Sequence, residues 1–236
     1  MNAGSPLTGP PVASVGEAVE RMEAIQGYLG AGDGLRWFNL MYLEVTRAFR
    51  QRLGTGFFAD EAFMERLDVV FANAYLAATR SRVLDPPATP HAWRAVFERR
   101  EDRRVVPLQF AVAGMNAHIN FDLPRALVET CRALGTTPDA GSHRRDFDRV
   151  NEILAQVEPA IREQMEKECP LDDRQLEHLE NVLANWSTTR AREAAWDQSE
   201  VLWWLRGNPA LASTYTAALD RTVGLAGRGL LVPLVP

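Results

Sequence analysis

The chain has 236 residues, of which 46% are hydrophobic and 24% charged, with a formal net charge of -5. That balance supplies apolar surface for a core and too little self-repulsion to hold the chain open, which excludes intrinsic disorder. Its 16 glycines, 14 prolines and 2 cysteines follow no period, which excludes a collagenous, low-complexity or disulfide-stapled chain.

Residues 1–13 are rich in Gly, Pro and Ser, carry no basic residue and no apolar run of the kind an export signal needs, and read as a mobile leader. Cys131 and Cys169 form no CxxC pair and fit thiols of a reducing compartment, so a cytoplasmic location is expected. From Val15 onward the apolar residues recur at three- and four-residue intervals without strand-like alternation. The expected fold is all-α: one domain over residues 14–229, a bundle of about ten helices, followed by an apolar tail over 230–236.

A first helix is expected over 15–29. Asp33 caps a second over 34–53, with Phe38, Met41, Tyr42, Val45 and Phe49 as an inward stripe. Asp60 caps a third over 61–81, stopped by Asp85-Pro86-Pro87, and Thr89-Pro90 opens a short fourth. The fifth, over 106–122, is nearly free of charge, as a helix buried on all sides would be, and Pro124 ends or kinks it. A sixth runs over 125–134, with Pro124 equally suited to its first turn, and a long seventh over 143–168 contains Pro159. Helices over 172–186 and 190–205 follow, the latter capped by Ser187 and Thr188, and Asn208-Pro209 opens the last.

The basic residues are arginine except for Lys167. Their densest group, Arg94, Arg99, Arg100, Arg103 and Arg104, alternates with Glu98, Glu101 and Asp102, which is a solvated helix face and not a nucleic-acid surface. The apolar stretches 105–117 and 223–236 fall short of the ~20 residues that span a bilayer, so no membrane span is expected. The tail could pack on its own chain or across a homodimer.

One segment breaks the local pattern. Residues 114–124, Gly-Met-Asn-Ala-His-Ile-Asn-Phe-Asp-Leu-Pro, put Asn116, His118, Asn120 and Asp122 inside an apolar helix, where each must find a partner. His118 and Asp122 lie one turn apart, as do Asn116 and Asn120. Imidazole and carboxylate at that spacing can bind a divalent metal (zinc, manganese or iron), form an oriented base, or simply hold each other. His91, His143 and His178 are unpersuasive as further metal ligands. The better partners are acids on apolar helix faces, Asp68 and Asp148, the latter beside Asn151; ion pairs with Arg47 or Arg149 are the plainer reading. Arg192 and Trp196 are stacked by spacing and could clamp an anion, and Asn39 with Tyr42 forms a mixed face that suits a pocket wall.

The strings Arg36 to Thr46, Phe63 to Ala72 and Gly114 to Pro124, with Asp148-Arg149-Val150-Asn151 and Arg192 to Trp196, resemble a bacterial family of unknown function common in actinobacteria. The resemblance covers most of residues 34–205 and implies a helical domain without naming a reaction. A similarity to helical zinc phospholipases rests on His118 and Asp122 alone, since the several further histidines of that family are missing. The reading that follows is an enzyme, a hydrolase or a lyase or cyclase. It acts on a small organic substrate in an inter-helix pocket, with His118 as base or ligand, Asp122 orienting it, Asn116 and Asn120 as donors and Arg192 facing an anion. The competing reading is a binding or scaffold protein whose polar core block is architectural.

Overall fold

The structure, a computed structural model, describes residues 5–168, 170–173, 176–177, 179–180 and 186–233. Its helices are α1 (Val15–Tyr28), α2 (Leu35–Arg50), α3 (Glu61–Leu84), α4 (His91–Arg99), α5 (Pro107–Ala117), α6 (Leu123–Leu134), α7 (His143–Glu168), α8 (Thr188–Leu205) and α9 (Pro209–Leu230). A π-helical turn, His118–Asp122, joins α5 to α6. The all-α class therefore holds, and there is no strand among the described residues. The count is lower than expected: with α5, the π turn and α6 as one continuous rod, these residues carry eight rods where the sequence suggests about ten. The helix expected over 172–186 falls largely outside the described residues, as do His178 and Cys169.

The central rod is the axis of the bundle. Helix α2 lies along α5, α3 along α6, and α8 crosses α6 and the π turn, while α9 runs beside α4 and α5. Close approach of α2 depends on Gly114, where a Cβ would collide with the Phe38 ring. The π turn has a local cause. Pro124 has no N–H to give the Asn120 carbonyl, and its ring would crowd that carbonyl in a regular helix. The backbone widens instead, and the Leu123 N–H bonds to the His118 carbonyl five residues back. So Pro124 sits in the first turn of α6, one of the two places the sequence allows it, and the rod continues through it.

Helix entries follow the sequence in part. Asp60, Ser187 and Asn208 cap α3, α8 and α9 through their side chains. At α4 the expected Thr89 is not the cap: the Asp220 carboxylate of α9 accepts from the His91 and Ala92 amides at 3.0 and 2.8 Å. Residues 5–13, read from composition as mobile, lie against α3. Leu7 and Val12 are buried, and Val12 exchanges two hydrogen bonds with the Asn73 amide. The start of the apolar tail docks on its own chain, with Leu231 buried and the Leu230 and Val232 carbonyls accepting from Gln109.

Candidate functional site

The π turn presents His118 to the middle of an aromatic cage. The imidazole stacks on Phe71 with ring centres 3.5 Å apart, and meets Tyr42 edge-on at 4.5 Å and Phe38 at 5.6 Å. Its Nδ1 lies 3.0 Å from Asp122 Oδ2, and the same oxygen accepts the Trp93 indole N–H at 2.9 Å. A carboxylate accepts and does not donate, so Nδ1 carries the hydrogen and Nε2 presents a bare lone pair. Burial pulls the His118 pKa below its ordinary value, against the opposing pull of Asp122, so the ring is neutral at neutral pH. Arg125 approaches the other Asp122 oxygen at 3.6 Å from the half-exposed side.

Among the described residues His118 Nε2 has no hydrogen-bond partner, although it is buried. Neither do the Tyr42 hydroxyl and Asp68 Oδ2, and all three residues line one cavity between α2, α3, the central rod, α7 and α8. Carbon walls dominate it, among them Met41, Leu67, Phe71, Met115, Ile119 and Phe147. It is narrow, with room of about 80 Å³ for the centres of water-sized spheres. Burial pushes the Asp68 carboxyl up to about 7, with Glu65 adding to the effect, and raises the Tyr42 phenol well above its usual value, helped by Asp68. The Thr46 hydroxyl beside that phenol donates to the Tyr42 carbonyl at 2.8 Å instead.

Arg192 reaches the same lining from α8. Its Nε donates to Asn151 Oδ1 at 2.9 Å, one amino group donates to the Phe147 carbonyl at 2.6 Å, and the guanidinium lies 4.1 Å over the Phe147 ring. Burial lowers its pKa to about 10, which leaves it charged at neutral pH. The stacking with Trp196 suggested by spacing does not occur: Arg144 lies over Trp196, whose indole N–H bonds to Glu200. Nor does Arg192 brace Asp122 or Asp148.

The remaining sequence candidates sit elsewhere. Asn116 donates to the Val223 carbonyl at 3.0 Å and accepts from Asn120 at 3.1 Å, so this pair fastens the rod to α9 on the side away from the cavity. Asn39 is buried between α1 and α3, donating to the Met22 carbonyl and Gln26 and accepting from the Tyr75 hydroxyl. Asp148 is half-exposed and paired with Arg144 at 2.9 Å. Asn151 orients Arg192 and does not line the His118 cavity. Of the sequence candidates, the structure thus gathers His118, Tyr42, Asp68 and Arg192 around one hollow, with Asp122 behind His118 and outside the lining. Sequence reasoning missed Trp93 and Phe71, whose only signal is that a buried indole N–H needs an acceptor and a buried imidazole needs walls.

Among the described residues no three His, Cys, Asp or Glu side chains gather in a metal-ligand cluster. No helix among them is long and apolar enough to cross a membrane. Cys131 is a free, buried thiol whose pKa burial raises to about 11, far from a reactive thiolate.

No curated protein and no solved structure matches the chain. A family model does match over residues 15–233, nearly the whole length, and the chain belongs to that family, a family of unknown function (DUF5995).

Proposed function

We propose that the protein is an enzyme that transfers a proton on a small, mainly apolar molecule held in the cavity, with His118 Nε2 as the base. Asp122 fixes the tautomer and Trp93 holds Asp122. One observation carries this reading: three buried polar atoms, His118 Nε2, Tyr42 Oη and Asp68 Oδ2, lack partners and line the same cavity. Each costs about 1–3 kcal/mol while unmet, so three in one hollow are the signature of a site completed by a guest.

Among the described residues the lining holds no Ser, Thr, Cys or Lys, so a path through an acyl-enzyme has no ordinary nucleophile there. Proton removal and return fit the groups present, which favours a lyase, isomerase or cyclase type of step over covalent hydrolysis. His118 Nε2 and Asp68 are the groups a divalent ion would meet first. They fall short of the three or more ligands such a site needs, and no step here is routed through a metal.

The test is deuterium incorporation at carbon, followed by mass spectrometry and proton NMR. The protein is incubated in heavy water with short- and medium-chain ketones, aldehydes, alcohols, carboxylic acids and amines. The proposal expects at least one compound to exchange faster than in buffer, and His118→Gln to remove that acceleration while keeping the fold. Guests that bind in a His118-dependent way without any exchange would make this a binding protein instead.

A further inference from the structure

The donor and acceptor complement of the cavity defines what it takes. His118 Nε2 can only accept, because its Nδ1 hydrogen is committed to Asp122. The Tyr42 hydroxyl is protonated at any physiological pH, and no hydrogen bond among the described residues takes its hydrogen, although Thr46 lies beside it. Asp68, with a carboxyl that titrates at about 7, is in part a neutral acid and then donates through a second O–H. One acceptor and two donors therefore face a cavity walled mainly by hydrocarbon.

Charge narrows the choice further. A carboxylate guest would share the cavity with the ionised form of Asp68 as well as with Arg192, and an ammonium guest with Arg192 as well as with that form of Asp68. Either ion would leave water for carbon walls, at a cost of several kcal/mol without a dedicated partner. Two of the three Arg192 nitrogens already serve Asn151 and the Phe147 carbonyl. An uncharged oxygen function meets neither objection, and the narrow volume suits a slim chain or a single ring.

From the three unpartnered atoms in one apolar cavity, we infer that the substrate is an uncharged enolisable ketone on a slim hydrocarbon skeleton, with Tyr42 and Asp68 holding its oxygen and His118 facing its α-carbon. The inference rests on His118 being the base, as proposed above. In the step it describes, His118 Nε2 takes the α-proton and the C–H electron pair becomes the C=C bond of an enolate. The carbonyl π pair moves onto oxygen, where the Tyr42 and Asp68 O–H groups meet the developing charge. The imidazolium exchanges its proton with solvent and returns a proton, in heavy water a deuteron, to carbon, so nothing is oxidised and water is the only co-reactant. Neutral donors placed where charge develops stabilise the enolate more than the ketone, which is the condition for acceleration.

The experiment uses the full chain in heavy water with 2-alkanones from butan-2-one to decan-2-one and with cyclohexanone. Octanoate, octan-2-amine and octane are the comparison guests, and thermal shift is read alongside α-deuterium incorporation. The expected result is a melting-temperature rise with at least one ketone and not with octanoate or octan-2-amine. Exchange of that ketone is accelerated by a factor of about 10²–10⁴ over buffer, the usual yield of positioned acid–base groups. Tyr42→Phe and Asp68→Leu each lower the exchange rate at saturating ketone by about tenfold or more, and Asp68→Asn, which keeps a donor, loses less than Asp68→Leu. Because Tyr42→Phe removes one oxygen and no packing, its effect is not confounded by misfolding. A shift with octanoate or octan-2-amine in place of every ketone overturns the substrate class and leaves the His118 site standing. Wild-type exchange in both Tyr42→Phe and Asp68→Leu overturns the oxygen-holding pair. Exchange that survives His118→Gln, or is absent for every ketone, overturns the inference, and survival in His118→Gln removes the base reading with it.

Discussion

Asp68 is the residue on which burial and charge are most at odds. Its folded pKa of about 7 lies above the ~3.9 of an unfolded chain, so the folded state keeps a proton that the unfolded state releases. Between about pH 4 and pH 7 the unfolded chain binds fewer protons, and this group's contribution to stability falls as pH rises. Asp68→Asn is therefore expected to be more stable than the wild type at pH 7, on the order of 1–3 kcal/mol, with the gain fading by pH 4, as urea denaturation at the two pH values would show. His118 acts in the opposite sense. Its folded pKa is lowered, so stability is lost as pH falls below the ~6.5 at which the unfolded imidazole takes a proton. Trp93→Phe removes the indole donor to Asp122 and is expected to cost about 1–3 kcal/mol in the same assay. At this scale the sequence was legible wherever a polar group interrupts an apolar run, as at His118, Asp122 and Asp68. Asn39, Asn116 and Asn120 interrupt in the same way, yet they fasten helices to one another. Spacing says that a partner is required and not whether that partner is protein or guest. Trp93 was invisible because an indole on an apolar helix reads as core.

Among the elements, the central rod shows what periodicity conceals. The sequence places a helix over 106–122 and a second over 125–134, with Pro124 either ending or kinking the first or opening the second; the chain widens by one residue and continues, with Pro124 in the first turn of α6. Pro124 explains why the ladder shifts there, but a proline in an apolar helix can equally end or kink it, so the pattern alone does not announce a π turn. Gly114 is the other hidden requirement, since it lets Phe38 reach both α5 and the His118 ring. Gly114→Ala is expected to cost about 1–3 kcal/mol by overpacking against α2, visible as a lowered melting temperature. Asp220→Ala is expected to cost about 1 kcal/mol, because α4 loses a cap supplied 128 and 129 residues further along the chain, a pairing that local sequence cannot reveal.

For the molecule as a whole, the cavity belongs to no single helix. Its walls come from α2, α3, the central rod, α7 and α8, and their Met, Phe, Leu and Val residues are the same types that fill a core. All-helical architecture could be read from period alone, whereas the hollow is set by how the rods cross. Arg192 illustrates the point, since it reaches the cavity lining from α8 while Asn151 and the Phe147 carbonyl of α7 hold two of its nitrogens. A guest that binds only the folded state should raise the melting temperature with its concentration, and that rise should disappear in His118→Gln. The most direct measurement is the nitrogen-15 NMR spectrum of the His118 ring at neutral pH, with and without octan-2-one. The account predicts a protonated Nδ1 and a bare Nε2 in the free protein, with the guest moving the Nε2 resonance far more than Nδ1. A ring protonated at Nε2, or an Nε2 signal that no guest disturbs, would contradict it.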